Sequence, residues 1–155
     1  MLEIIQIVDK KYRKEFVQLP LKMYKGNRYF VPPFYADEMA MFTDKNIYSK
    51  MCDHAFFIAK RDGKVVGRIQ GIIQNKFNAL YNTKQARFCR FDSEDNQETA
   101  SALFDAVEKW AKSMGADHII GPSNYSDQER EGLLIEGFNY LSTFEEQYNY
   151  PYYQK

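Results

Sequence analysis

The chain has 155 residues, with 21 Lys and Arg against 21 Asp and Glu, so its formal net charge is zero. That length is enough for one domain with its own core, and the charge balance argues against a dedicated nucleic-acid binder. The short cluster Lys10, Lys11, Arg13 and Lys14 reads as a solvated helix face. No apolar run approaches the ~18 residues that would span a membrane, and no basic region followed by an apolar segment opens the chain. The two cysteines, Cys52 and Cys89, form no CxxC pair. Free thiols in a reducing cytoplasm are the expected setting, with neither nucleic acid nor membrane as partner.

Leu2 to Val8 alternates apolar and polar residues, which predicts a first strand. Asp9 is placed to cap a helix from Lys10, whose apolar face carries Tyr12, Phe16 and Leu19. Pro20 lacks a backbone donor and is expected to stop or restart that helix. Lys25-Gly26-Asn27 marks a turn, Val31-Pro32-Pro33 an extended segment, and Phe34 to Phe42 a short helix. His54 to Lys60 reads as a strand, and Asp62-Gly63 as a hairpin turn, since both residue types tolerate positive φ. Lys64 to Gln74 returns as a strand, in which Gly67 and Gly71 signal a bulge or close packing.

Asn75 to Lys84 reads as a loop with at most one helical turn, and Ala86 to Phe91 as another strand. The helix after it is the best-defined element. Ala100, Leu103, Phe104, Val107, Trp110, Ala111 and Met114 form one apolar stripe. Asp95 as N-cap with Glu98 three residues on makes a capping-box pattern, and Gly115 provides the stop. His118 to Ile120 is a short strand ended by Gly121-Pro122. Glu131 to Phe138 reads either as a short helix or as a loop anchored by Leu133, Leu134 and Phe138. The order β-α-α-β-β-β-α-β, a hairpin followed by a β-α-β crossover, predicts an α+β fold of three layers. Its central sheet is mixed, mostly antiparallel, and flanked by helices.

Several stretches extend this order into a resemblance: Leu19-Pro20-Leu21 with Tyr24, Val31-Pro32-Pro33, Asp62 to Ile69, Gly121 to Ser126, and Glu131-Gly132-Leu133-Leu134 with Gly137-Phe138. In order and spacing the chain is similar to the GNAT superfamily of N-acyltransferases, and within it to an uncharacterised bacterial branch. The resemblance covers most of residues 1–155. It implies an acyl-CoA-dependent N-acyltransferase acting on a small-molecule primary amine, with acetyl-CoA or another acyl-CoA as cofactor and no metal. It places that cofactor in a V-shaped opening between two central strands. The pyrophosphate would lie at the start of the long helix, against Asn96, Gln97, Thr99 and Ala100. A helix N-terminus suits an anion because its free N–H groups and its dipole both point at it. Relatives continue with a further helix and strands that supply a general-acid tyrosine. That position would lie beyond Lys155, so no catalytic residue is assigned, and the single GNAT-like domain reads as incomplete in its tail, about 139–155.

The loop itself departs from the superfamily's Gln/Arg-x-x-Gly-x-Gly/Ala motif, which falls on Asp95 to Ala100. Asp95 replaces the basic or amide residue, Glu98 replaces the first glycine, and only Ala100 agrees. At ~5 Å and an effective dielectric near ~20, each acid facing a phosphate charge costs roughly 3 kcal/mol before screening. The protein's own carboxylates are expected to occupy the anion position. Two further readings therefore stand beside the enzyme: a non-catalytic GNAT-like binding or assembly domain, and a fragment of a longer acetyltransferase-like protein.

Other candidates are weaker. Cys52-Asp53-His54 alternate across a strand and cannot easily share a metal. Cys89 reads as a small buried hydrophobe and His118 as structural. Glu145-Glu146 are acids that could deprotonate an amine, although a solvated pair is the simpler reading. Arg68 interrupts an apolar strand and is expected to pair with an acid or meet a ligand. The aromatic tail, Tyr140, Phe144, Tyr148, Tyr150, Tyr152 and Tyr153, packs either on its own sheet or on a partner. A homodimer through the open sheet edge and this tail is the expected assembly.

Overall fold

The computed structural model describes residues 1–155. Its strands are β1 (Leu2–Gln6), β2 (Cys52–Arg61), β3 (Lys64–Gln74), β4 (Gln85–Ser93) and β5 (His118–Ile120). Its helices are α1 (Arg13–Met23), α2 (Tyr35–Ala40), α3 (Asn75–Tyr81) and α4 (Gln97–Ser113), followed near the end by a 3-10 turn, Pro151–Gln154. The five strands lie in the order β1-β2-β3-β4-β5. The first four are antiparallel to their neighbours, and β5 runs parallel to β4. This is the mixed, mostly antiparallel sheet expected from the sequence.

The period of two along β2 sorts the core into layers. Ala55, Phe57 and Ala59 face α4 and pack with Ile69, Leu103 and Val107. Phe56 and Ile58 face the other way, against Phe16 and Val17 of α1 and Met41. α4 therefore covers one face and α1 with α2 the other, which gives the three layers. Gly67 and Gly71 mark the approach of α4. A Cβ on Gly67 would stand 2.8 Å from Leu103 Cδ1, and one on Gly71 2.5 Å from the Trp110 ring. Both readings the sequence allows hold there: the glycines pack closely against α4, and the β2–β3 register shifts beside Gly67, from Ala59↔Gly67 to Lys60↔Val65. The turn at Asp62-Gly63 has positive φ at both residues, 50° and 81°.

Several boundaries move. β1 ends at Gln6 rather than Val8. Asp9 caps no helix: its carboxylate takes the Lys11 N–H in a local turn, and α1 begins at Arg13. Pro20 sits inside α1 and does not end it. The carbonyl that Pro20 leaves without its helical donor belongs to Phe16, and Arg68 Nη1 donates to it at 3.0 Å. A tertiary bond replaces the missing local one, so the helix continues. Asn75–Tyr81 is a seven-residue helix rather than a loop. It ends where Asn82 adopts φ 49° and Asn78 bonds both the N–H and the C=O of Gln85. Glu131 to Phe138 is a loop, pinned at Leu134 by the side chain of the fully buried Asn149.

Candidate functional site

The start of α4 differs in detail from the capping box. Asn96, not Asp95, is the N-cap: its backbone is extended and its Oδ1 accepts from Glu98 N at 2.9 Å. Thr99 is fully buried; its hydroxyl donates to Glu94 Oε1 at 2.7 Å and accepts from Arg61 Nη2 at 2.9 Å. Arg61 also donates to Glu94 and Glu98, at 2.9 Å each. Asp95 stands 3.8 Å from Lys155 Nζ. Gln97 donates to Ser101 at 3.3 Å on the exposed side, and Ala100 continues the helix by donating its N–H to Asn96 O. The protein's carboxylates thus do not sit on the helix N–H groups. An amide oxygen does, and the carboxylates turn sideways to Arg61.

β4 and β5 pair only from Gln85↔His118 to Arg87↔Ile120. Ser123 N still reaches Phe88 O at 2.8 Å, and beyond it no strand pairs with β4 on that side. The implied opening falls here, and Pro122, Leu133, Asn149 and Tyr153 lie beside Cys89 to Phe91 in it. Its far end is held by the tail: Tyr153 Oη accepts from Ser93 N at 2.8 Å, and Tyr152 Oη donates to Ser93 O at 2.6 Å. With three acids around Asn96, no glycine, and these hydroxyls on Ser93, the start of α4 does not fit a pyrophosphate as it stands.

A second concentration of charge lies on the opposite face of the sheet. Arg68, Gln70 and Ile72 alternate with the residues that face α4, so their side chains point toward α1. In β4 the ladder steps from Gln70↔Cys89 to Arg68↔Asp92, two residues against three, and Arg90 has φ 47°. This bulge brings Arg90 and Asp92 into one network. Arg68 donates to Asp92 Oδ2 at 2.8 Å, and Asp92 Oδ1 accepts from Tyr24 Oη at 3.1 Å. Glu38 of α2 receives Arg90 Nη2 at 3.0 Å and lies 3.8 Å from Arg68. Arg90 Nη1 continues to Gln70 Oε1 at 3.0 Å and Asn124 Oδ1 at 2.7 Å. Burial works to raise the Glu38 pKa, but the guanidinium groups of Arg90 and Arg68 hold it below the usual carboxylate range.

Above this network is a cavity of about 460 Å³. Its walls include Tyr24, Phe30 and Phe34 from the N-terminal third, Asn124, Tyr125 and Gln128 to Arg130 after β5, and Phe144, Glu145, Gln147 and Tyr148 of the tail. Arg130 ties these parts together by donating to Val31 O at 2.8 Å and Phe144 O at 2.7 Å. The charged side chains lining the cavity are Lys45, Arg68, Arg90 and Arg130 against Asp37, Glu38, Asp92, Glu129 and Glu145, four against five. Beside it, Tyr125 Oη meets Gln70 Nε2 at 2.7 Å and His54 Nδ1 at 3.1 Å; burial lowers the His54 pKa. Cys89 lies beneath, its thiol pushed up to about 11 by burial, consistent with an inert core residue. No three His, Cys, Asp or Glu side chains converge to hold a metal.

Arg68 is therefore a network residue at the cavity floor, and of the acid pair Glu145-Glu146 the first lines the wall. Glu38, Arg90 and Glu129 carry no motif in the sequence, and Asp92 stands out there only as the first acid of the loop before α4. The alternation Arg68-x-Gln70 and Arg90-x-Asp92 inside apolar strands was the available signal. The tail tyrosines split: Tyr148 is buried and bonded to Asn27, Tyr150 reaches Met23 O, and Tyr140 is exposed. Of the six tail aromatics, Tyr148, Tyr150, Tyr152 and Tyr153 pack at least partly on their own chain.

No protein-family model matches the chain. It is 31% identical over 132 residues to Protein YghO of Escherichia coli (strain K12), covering 85% of this chain and 34% of that protein. It is 30% identical over 142 residues to the bacterial ceramide synthase of Caulobacter vibrioides (strain NA1000 / CB15N), covering 89% of this chain and 36% of that protein. The chain thus spans about a third of the length of these curated relatives. Among solved structures, a GNAT-family acetyltransferase from Staphylococcus aureus Mu50 superposes with a TM-score of 0.56 at 18% identity, over 77% of this chain and 71% of that one. An acetyltransferase from Clostridium acetobutylicum, solved with acetyl-CoA, gives 0.53 at 10% identity over 81% and 82%. The protein has the GNAT fold. No helix is long and apolar enough to cross a membrane.

Proposed function

We propose that the protein takes part in N-acyl transfer from an acyl-CoA to a primary amine, and that this chain supplies the amine side. The observation that carries the reading is the cavity at the β4 bulge, which has one more acid than base on its walls and lies in a fold used by acetyltransferases. An excess of carboxylate in a partly desolvated cavity favours a cation. Phe34, Ile47 and Phe144 line the same cavity while remaining exposed, at 64%, 73% and 44%, so an amine carrying an apolar chain suits the mouth. The ceramide synthase relative supports this choice, because a ceramide is an N-acylated long-chain amine.

The donor side is weaker in this chain. The acids at the start of α4 oppose a pyrophosphate, and isothermal titration with acetyl-CoA is expected to give a dissociation constant above ~100 μM, worth less than about 5.5 kcal/mol. Exchanging Glu98→Gly together with Asp95→Gln is expected to tighten it. A tight complex with the unaltered chain would remove the electrostatic argument. The test of the function itself is amide formation from an acyl-CoA and a long-chain primary amine, followed by mass spectrometry. Absence of amide product with the chain and with its longer relatives would overturn it. Self-association through the outer edge of β5 is an accompanying proposal, and a monomer mass in light scattering at high concentration would remove it.

A further inference from the structure

The cavity changes character from floor to rim. Its floor is charged and buried, at Arg68 and Asp92. Its rim carries two aromatic rings, Phe34 and Phe144, that line the cavity and remain exposed. They face each other at 4.9 Å between ring centroids, tilted by 43°. Arg130 holds the two segments together. Its Nη2 donates to Val31 O at 2.8 Å and to Phe144 O at 2.7 Å, and its Nε donates to Phe144 O at 3.0 Å. Its guanidinium also lies over the Phe144 ring, 5.8 Å from the centroid. On the other side, Phe34 follows Pro32-Pro33 and N-caps α2 with an extended backbone. This cation is committed to two main-chain carbonyls, and what it organises is a pair of apolar rings facing solvent. Apolar surface held in water at the rim of a cavity marks a binding surface.

We propose that Phe34 and Phe144 form a subsite for the alkyl chain of the amine, with Arg130 as the residue that positions it. This rests on the amine reading above and names the residues that select the alkyl chain. The head group enters toward the charged floor, and the alkyl chain lies across the two rings. A charged floor under an apolar rim is complementary to an amphiphile, more than to a wholly polar amine or a plain alkane. Braced rings suit the task because they lose little freedom when an alkyl chain docks, so more of the burial remains as affinity. Each methylene that the rings take out of water is expected to tighten binding roughly threefold to fourfold. Chain-length preference is therefore set at the rim and head-group preference at the floor.

The experiment is calorimetric titration of the protein with butylamine, hexylamine and octylamine, and with 1-octanol as the uncharged control. Affinity of the unaltered protein is expected to rise along the amine series, by up to roughly tenfold for each two methylenes. Phe34→Ala and Phe144→Ala are each expected to weaken octylamine and octanol alike, by roughly threefold to tenfold, and to flatten the rise. The ratio of octylamine to octanol affinity, set at the floor, should stay the same. Phe34→Leu and Phe144→Leu keep apolar area and should retain most of the rise. Arg130→Gln leaves both rings without their brace and should flatten the rise in part; an unchanged rise would remove its positioning role. Leu80→Ala, an exposed position on α3, should change nothing. A rise equal in the unaltered protein and both alanine variants, or no rise at all, would overturn the subsite and leave the amine reading intact. Octanol as tight as octylamine, with the rise lost in the alanine variants, would keep the subsite and overturn the amine reading. No binding of any of the four would overturn both. Self-association that weakens in Phe34→Ala, with the rise unchanged, would assign the rings to a contact between copies and overturn the subsite.

Discussion

The start of α4 and the floor of the cavity are both crowded with opposite charges, yet they are built in different ways. At α4, Arg61 sits between Glu94 and Glu98 with water within reach; the Glu98 side chain is 65% exposed. At the cavity floor Arg68 and Asp92 are only 6% and 3% exposed, and each makes several bonds. In the first region the chain can lose a charge and let water replace it. In the second no water replaces it, so the network holds α1, α2, β3 and β4 together through groups that cannot be removed singly. The exposed cluster is a local helix start, and the buried one is a joint between layers with a cavity above it.

The largest break in that comparison is Arg68→Met. It leaves Asp92 and Glu38 as buried acids without their shared cation and frees the Phe16 carbonyl within α1. A loss of about 3–5 kcal/mol is expected in urea denaturation; a loss under ~1 kcal/mol would show the network to be independent pairs. Acid titration of the unaltered chain tests the same joint by another route. The folded pKa of Glu38 lies below its unfolded value, so its stabilising contribution is complete above the unfolded value and lost as the pH falls through the lowered one. Melting temperature should fall across that acid window, and Glu38→Gln should flatten the fall while lowering stability at neutral pH.

At α4 the effects are smaller. Asn96→Ala removes the cap on the Glu98 N–H and is expected to cost about 1 kcal/mol. Asp95→Ala, at the position the sequence pattern favours for the cap, should cost less. Equal costs in thermal melts would return the cap to Asp95. Arg61→Gln should have the smallest effect of all. Whatever it loses should shrink further in added salt, because exposed pairs are screened. A salt-independent loss would place Arg61 among the buried joints instead.

Much of the fold was legible locally. The α4 stripe from Leu103 to Ala111, the stop at Gly115 and the hairpin at Asp62-Gly63 are set by neighbours a few residues apart. The placement of the N-cap was off by one because Asp95 and Asn96 both offer an oxygen, and only the backbone path out of β4 selects between them. The charged floor was half legible. Arg68 stood out against its strand, but its partners Asp92, Glu38 and Arg90 lie 24, 30 and 22 residues away along the chain. The bulge at Arg90 that gathers them is a property of the β3–β4 register.

By itself, the amino-acid sequence determined the strands, the long helix, the layer order and the acidic start of α4, since periodicity and turn chemistry act over a few residues. Tertiary structure alone decided that α1 runs through Pro20, because the donor replacing its missing N–H comes from β3. It likewise decided that the tail tyrosines close over Ser93, and that Glu38 and Glu129 meet around Arg90 at the cavity. Each depends on which distant segments meet once the sheet has formed.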